Sequence, residues 1–198
     1  RKILGYLPQE FGVYPRFSAI ELMHHLAVLK GFTNKKIRSE MVDYLLQKVN
    51  LFEDRKKNVS SYSGGMRQRF GIAQCLIGKP GLIIVDEPTA GLDPKERNRF
   101  YNILSEIGEQ SIVILSTHIV QDVKELCNRL AILNKGKIVF SGSTDEALSL
   151  VKGRVFGKCI EKNELMDYQV NYKIINHKLT GGKPYIQIFS EVDPDNGF

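Results

Sequence analysis

The sequence predicts an α/β fold: a parallel sheet core with an attached helical insert and a small α+β tail. Three observations predict it. Continuous apolar runs at 82–86 and 111–116 alternate with helical stretches, as the strands of a parallel sheet do when buried on both faces. Helical periodicity without an intervening strand occupies roughly thirty residues before them. After Gly153 the alternation gives way to short strand-like runs.

Taken in order, Ser18-Ala-Ile-Glu21 is a capping-box pattern, and Leu22, Met23, Leu26, Ala27 and Leu29 follow at helical spacing until Gly31. A second helix is expected from Asn34 to about Val49, with Ile37, Met41, Tyr44, Leu45 and Val49 on its apolar face. Ser63-Gly64-Gly65 opens a third, which reaches Ile77 and is closed by Gly78 and Pro80. Leu82–Asp86 reads as a buried strand ending in acid. Asp93-Pro94 with Glu96 then caps a helix, with Pro at the first helical position. Ser111–Ser116 is a second buried strand, followed by a helix over 120–127 and a strand over 129–133. Asn134-Lys135-Gly136 is a tight turn into a strand over 137–141. A short helix spans 144–150. In the tail, 155–160, 172–179 and 185–189 are strand-like, 163–167 is one helical turn, and Gly181-Gly182 is a turn. Asp193–Phe198 reads as a fraying end or a cut site.

Composition excludes several classes. The 198 residues suit one domain, or one plus an appendage, and a chain of this size buries roughly 70% of its unfolded surface without staples. Charged residues at 25% and aromatics at 9% are ordinary globular values, not those of a disordered protein. Cys75, Cys127 and Cys159 are too few and too scattered for a disulfide framework or a zinc site, which favours a reducing compartment. No apolar run approaches the roughly 18 residues of a membrane span, and RKILGYLPQE does not read as a signal peptide. The net charge of +6 has the look of a solvated basic surface, because its short Lys/Arg groups lack interleaved aromatics.

Chemistry concentrates at two places. Asp86-Glu87 follows an apolar strand, and acids at that end face the crevice where open α/β sheets bind ligands. One carboxylate there can help hold Mg²⁺ through water while the other polarises an attacking water. Ser63-Gly64-Gly65 before a helix exposes backbone N–H groups where the helix dipole favours anions. Read singly, the first is a strand-end turn and the second an N-cap. His24, His25 and His177 read as surface histidines.

Ser63-Gly-Gly-Met-Arg-Gln-Arg69, then Leu82-Ile-Ile-Val-Asp-Glu-Pro-Thr-Ala-Gly-Leu-Asp-Pro94, then Ser116-Thr-His118, in that order, resemble the ATP-binding cassette of ABC transporters. Matching runs extend over about 5–142. The resemblance implies a RecA-like P-loop NTPase parallel sheet core whose N-terminal part is missing, an α-helical insert subdomain and a small α+β C-terminal tail. It implies a cassette over 1–153, with the helical subdomain at about 15–78, and an extension over 154–198. Ser63, Gly64 and Gly65 match the signature motif that contacts the γ-phosphate of ATP held by a partner cassette. Asp86 matches the Walker B Asp that serves Mg²⁺, and Glu87 the catalytic Glu. Asp93 matches the D-loop, and His118 the switch histidine. Gln9, within Gly5-Tyr-Leu-Pro-Gln-Glu-Phe-Gly-Val-Tyr14, matches the Q-loop glutamine that senses Mg²⁺ and water. The implied cofactors are ATP and Mg²⁺. The implied partners are a second cassette and a transmembrane permease subunit, with no nucleic acid, on the cytoplasmic side of the cell membrane. The run 5–14 and the tail are most similar to ATPase subunits of bacterial ABC-2-type exporters.

The pattern also departs from the family. Tyr62 and Met66 stand where the signature commonly has Leu and Gln. No Gly-x-x-x-x-Gly-Lys-Ser/Thr occurs, so the loop that cradles phosphates and supplies a lysine is absent from the 198 residues. The expectation is a fragment of a longer protein that by itself binds ATP very weakly and hydrolyses essentially none, with one edge of its sheet uncovered and inviting self-association. Two other classes compete: a non-hydrolysing ABC-like interaction module, and a soluble ABC ATPase acting on nucleic acid.

Overall fold

The computed structural model describes residues 3–9, 12 and 16–194. Of the run 5–14, Glu10, Phe11, Val13 and Tyr14 lie outside the described residues, as do 195–198 of the expected fraying end. The chain forms two compact units, Arg1–Cys127 and Asn128–Phe198. The second unit begins with β4 (Arg129–Asn134) and β5 (Lys137–Ser143), which among the described residues pair with each other and do not extend the parallel sheet.

The first unit is built on three parallel strands in the order β1 (Leu4–Leu7), β2 (Leu82–Asp86) and β3 (Ile112–Ser116). Leu7, Ile83 and Val85 point to one face and join a core with Phe70 and Ile72 of α3 (Gly64–Cys75) and Phe100 and Leu104 of α4 (Pro94–Gly108). Gly5 permits a close approach of α3 to the sheet. A Cβ at that position would lie 2.9 Å from the Cys75 carbonyl oxygen. The register pairs Leu4 with Leu82 and Leu82 with Ile112, then Tyr6 with Ile84 and Ile84 with Ile114. Those rows form the opposite face, where Tyr6 is 56%, Ile112 68% and Ile114 50% exposed. The expectation of a strand over 111–116 buried on both faces is therefore corrected. Among the described residues the helices of this unit cover one side of the sheet.

The two helices of the insert follow their caps. Ser18 and Glu21 close a reciprocal capping box on α1 (Ala19–Leu29), with Glu21 accepting from the Ser18 backbone N–H at 2.9 Å. Two further first-turn donors of α1 reach the carbonyls of Arg55 (2.9 Å) and Lys57 (3.2 Å), so the helix entry is stitched to the 50–58 loop. Asn34 caps α2 (Lys35–Lys48) by accepting from the Lys36 and Ile37 amides. The buried face of α2 carries Val42, Leu45, Leu46 and Val49. This corrects the expected face, since Ile37 and Tyr44 are each 56% exposed. The apolar positions of α2 fit two stripes, and packing against the core chose the one set by Val42 and Leu46. Lys30, just beyond α1, donates to the carbonyls of Ile77 (3.0 Å) and Cys75 (3.4 Å) at the end of α3, where a cation complements the helix dipole.

Helix α5 (Val120–Leu126) completes the first unit. In the second unit, Lys135 (φ +48°) and Gly136 (φ +76°) make the two-residue turn between β4 and β5. A capping box at Ser143 and Glu146 starts α6 (Thr144–Ser149). Strands β6 (Val155–Cys159), β7 (Ile174–Thr180) and β8 (Lys183–Phe189) form an antiparallel sheet in the order β6-β8-β7. Ile160, Ile186 and Ile188 are its small core, covered from α7 (Leu165–Asn171) by Leu165 and Tyr168.

Burial pushes the Cys75 thiol from 9.0 up to about 12, against the opposing charge of Lys30. The folded protein thus keeps a proton that the unfolded chain releases above about pH 9. The stability held by this group is present below about pH 9 and is lost as pH rises toward about 12, at up to about 1.4 kcal/mol per unit. Thermal melts from about pH 8 to about pH 11 are expected to fall in Tm, with a shallower fall for Cys75→Ala. Equal slopes would show that the buried thiol is not responsible.

Candidate active site

The three parallel strands end side by side. Leu7 pairs with Val85 and Asp86 with Ser116, so Pro8-Gln9, Asp86-Glu87 and Ser116-Thr117-His118 leave the sheet at its carboxyl edge. That edge is where open α/β sheets hold ligands. Alternation puts Asp86 and Ser116 on the same side as the exposed rows Leu4–Leu82–Ile112 and Tyr6–Ile84–Ile114. The Ser116 hydroxyl donates to Asp86 Oδ1.

Glu87 sits in the left-handed region at φ +46°, uncommon for a residue with a Cβ and a mark of functional turns. Its amide donates to the Ser116 carbonyl at 2.9 Å, which fixes the turn out of β2 against β3. Its Oε1 accepts from the His118 amide at 3.1 Å and lies 2.7 Å from His118 Nδ1. An ionised carboxylate only accepts, so Nδ1 carries the proton and Nε2 is turned away from Glu87. Most of the His118 ring is solvent-exposed. Glu87 Oε2 is buried without a hydrogen-bond partner. Gln9 is exposed at the end of β1 and makes no hydrogen bond to Asp86, Glu87 or His118 among the described residues.

A second group of predicted site residues lies around two helix starts. Ser63 caps α3, its Oγ accepting from the Met66 amide at 3.2 Å. Gly64 is exposed, with open space where a side chain would be. Gly65 is buried under Glu96, whose Cγ would lie 2.8 Å from a Cβ there. Asp93 caps α4 by accepting from the Glu96 amide at 2.9 Å. Glu96 pairs with the buried Arg69 and, at 3.0 Å, with Arg99. Thus Gly65 of α3 and the cap of α4 share one contact. Among the described residues no hydrogen bond joins this group to Asp86, Glu87 or His118.

Sequence reading misses Ser116 as a partner of Asp86, and Arg69 with Glu96 as the link between the two helix starts. The only signal for the latter is an acid three residues after Asp93, which reads equally as first-turn dipole compensation.

No cluster of three His, Cys, Asp or Glu side chains that could hold a metal ion occurs among the described residues. Mg²⁺ does not require one, because it keeps several waters and takes one or two carboxylates plus substrate phosphates. The Asp86 carboxylate and, among the described residues, the unpartnered Glu87 Oε2 are oxygen donors of the kind that set takes. No helix among the described residues is long and apolar enough to cross a membrane.

Comparison with known proteins points to one family. Residues 1–90 match the family model described as ABC transporter. An uncharacterized ABC transporter ATP-binding protein of Bacillus subtilis, YxlF, is 34% identical over 156 residues, covering 79% of this chain and 52% of that protein. The linearmycin resistance ATP-binding protein LnrL of the same organism is 33% identical over 154 residues, 76% of this chain and 48% of that one. The ABC transporter ced-7 of Caenorhabditis elegans is 34% identical over 149 residues, 74% of this chain and 9% of that one. The chain spans about half the length of the two bacterial relatives. The ordered set of motifs and these likenesses agree: the chain belongs to the ATP-binding proteins of the ABC transporter family.

Proposed function

We propose that the chain is part of the ATP-hydrolysing subunit of an ABC transporter, in which two cassettes associate head-to-tail and drive a transmembrane permease subunit from the cytoplasmic side of the membrane. On this reading residues 1–153 belong to the cassette, about 15–78 to its helical subdomain, and 154–198 to an extension. A relative named for linearmycin resistance supports export as the direction.

One observation carries the reading. Glu87 is held by His118 through one oxygen, at 2.7 Å, while its other oxygen is buried and, among the described residues, without a hydrogen-bond partner. A general base needs a fixed carboxylate with one oxygen left for the proton of water, and Glu87 has that form. In the mechanism, Glu87 Oε2 accepts a hydrogen bond from the attacking water and polarises it. His118 holds Glu87 through Nδ1, and an Nε2–H on the ring's other side would donate to a γ-phosphate oxygen. Asp86 and Gln9 would hold Mg²⁺, which when bound neutralises charge developing on the phosphates. Ser63 Oγ and the amides of Gly64 and Gly65 would contact the γ-phosphate of the nucleotide bound by the opposing cassette. Asp93, at the start of α4, would stand beside that same nucleotide.

The phosphate-cradling lysine loop is not among the 198 residues. The exposed rows of the sheet lead to Asp86, so a phosphate-binding element seated over them would deliver the triphosphate to the two carboxylates.

In the intact protein that contains this chain, Glu87→Gln is expected to lower Mg²⁺-dependent phosphate release from ATP by about 10² or more, the usual worth of a general base. ATP binding should persist in that variant. Turnover unchanged by Glu87→Gln would remove the base from the mechanism. The 198-residue chain by itself is expected to bind ATP very weakly and to release no phosphate. Metal-dependent turnover by that chain would refute the need for the lysine loop.

A further inference from the structure

Beneath the carboxyl edge lies a buried carboxylate that neither the motifs nor the proposed mechanism uses. Asp122, in the first turn of α5, is 0% exposed. Its Oδ2 accepts from Thr89 Oγ1 at 2.5 Å and from Thr117 Oγ1 at 2.9 Å, and its Oδ1 accepts from the Tyr101 hydroxyl at 2.6 Å. Among the described residues no lysine, arginine or histidine forms an ion pair with it. A buried carboxylate without a counter-ion is costly unless hydrogen bonds to the charged form replace water. Here three hydroxyls do so, and such charge-assisted bonds are roughly twice as strong as neutral ones.

The donors come from three separate stretches, and two of them flank the proposed reacting residues. Thr89 lies two residues after Glu87, in the turn that runs on to Asp93. Thr117 directly precedes His118. Tyr101 lies in α4, the helix that Asp93 caps. Thr117 Oγ1 also accepts from the Ile119 amide at 3.0 Å, so its proton is committed to Asp122. The segment 117–119 is thus held at the side chain of Thr117, and the loop after Glu87 at the side chain of Thr89, by one oxygen of one residue. The 2.7 Å contact between His118 and Glu87 is made between those two anchored stretches.

We propose that Asp122 is a positioning residue for hydrolysis: by fastening Thr117 and Thr89 to a single carboxylate oxygen it sets the separation of His118 and Glu87. The proposal rests on the functional reading above. A carboxylate suits the role because both its oxygens accept. An asparagine has one accepting oxygen only; its NH₂ donates, so the hydroxyls on that side would have to turn and accept, and the charge-assisted bonds would become neutral ones.

The test has two arms. In the 198-residue chain without nucleotide, hydrogen–deuterium exchange at the His118 and Ile119 amides should rise by about tenfold in Asp122→Asn and in Thr117→Val, with α3 and β2 protected as in the wild type. In the intact protein, both variants should lower kcat for ATP by about tenfold or more while KM stays within about twofold, because a misplaced group costs rate more than ground-state binding. The double variant should be no slower than Asp122→Asn, since the two act through one bond. Exchange that rises evenly across the first unit, with kcat per folded molecule unchanged, would make Asp122 a stability residue and overturn the proposal. Thr117→Val, which leaves the buried carboxylate with two donors, keeps the test open should Asp122→Asn fail to fold. An intact wild-type protein without ATPase activity would overturn the functional reading, and the exchange arm would still decide whether Asp122 fixes the His118 segment.

Discussion

Parallel pairing of β1, β2 and β3 in a register without shifts is the constraint on which the rest of the first unit depends. Parallel strands end together, so the segments leaving them emerge at a common edge. Gln9, Asp86-Glu87 and His118 come from stretches far apart in sequence, and only this register makes them neighbours. The edge is then finished by short-range bonds. Ser116 ties Asp86 across the β2–β3 step, and the Glu87 amide ties back to the Ser116 carbonyl at 2.9 Å. A one-residue slip would turn Asp86 to the helix-covered face and Val85 to the other.

That sheet is covered from one side. Parallel strands ordinarily read as apolar runs because both faces are buried, and these strands keep that composition. Leu4, Tyr6, Ile112 and Ile114 are nonetheless exposed, and β1 and β3 are edges. The apolar rows and the carboxylate row lie on the same side, so an element that buried the first would also bring its end to the second. Hydrophobic burial and substrate delivery are therefore one requirement on the proposed reading, which links the missing lysine loop to the uncovered face.

Much of this is legible in the sequence where the signal is local. Caps at Ser18, Asn34, Ser63 and Asp93, the Lys135-Gly136 turn and the acid pair closing Leu82–Asp86 each depend on residues a few positions apart. The features that escape depend on long-range choices. Strand β1 has four residues and ends at a proline, too short for a period to show. The α2 face is misassigned because Ile37 and Tyr44 fit a helical stripe that the core does not select. The 111–116 strand has the composition of a doubly buried strand, and sequence does not say which neighbours are present to bury it. Asp122 gives no signal, since its donors stand 33, 21 and 5 residues away.

The two groups of proposed site residues are organised differently, and the difference bears on how one nucleotide could meet both. Glu87 is bonded to His118, and Asp86 to Ser116, across adjacent strands. Ser63, Gly65 and Asp93 are organised around Glu96, which lies against Gly65, follows the Asp93 cap and pairs with the buried Arg69. A shift of the α3 start would therefore act on the α4 start through a buried ion pair and a contact with no room for a Cβ. The Thr89–Asp122–Tyr101 bonds give α4 a second tie, to the stretch that follows Glu87. Helix α4 is thus bonded to α3 through Glu96 and Arg69, and through Asp122 to the loop that follows Glu87. On the proposed head-to-tail pairing, a nucleotide bound by one cassette and touched by the Ser63-Gly64-Gly65 of the other would have in α4 a physical route by which engagement of one site is felt at Glu87 of the next.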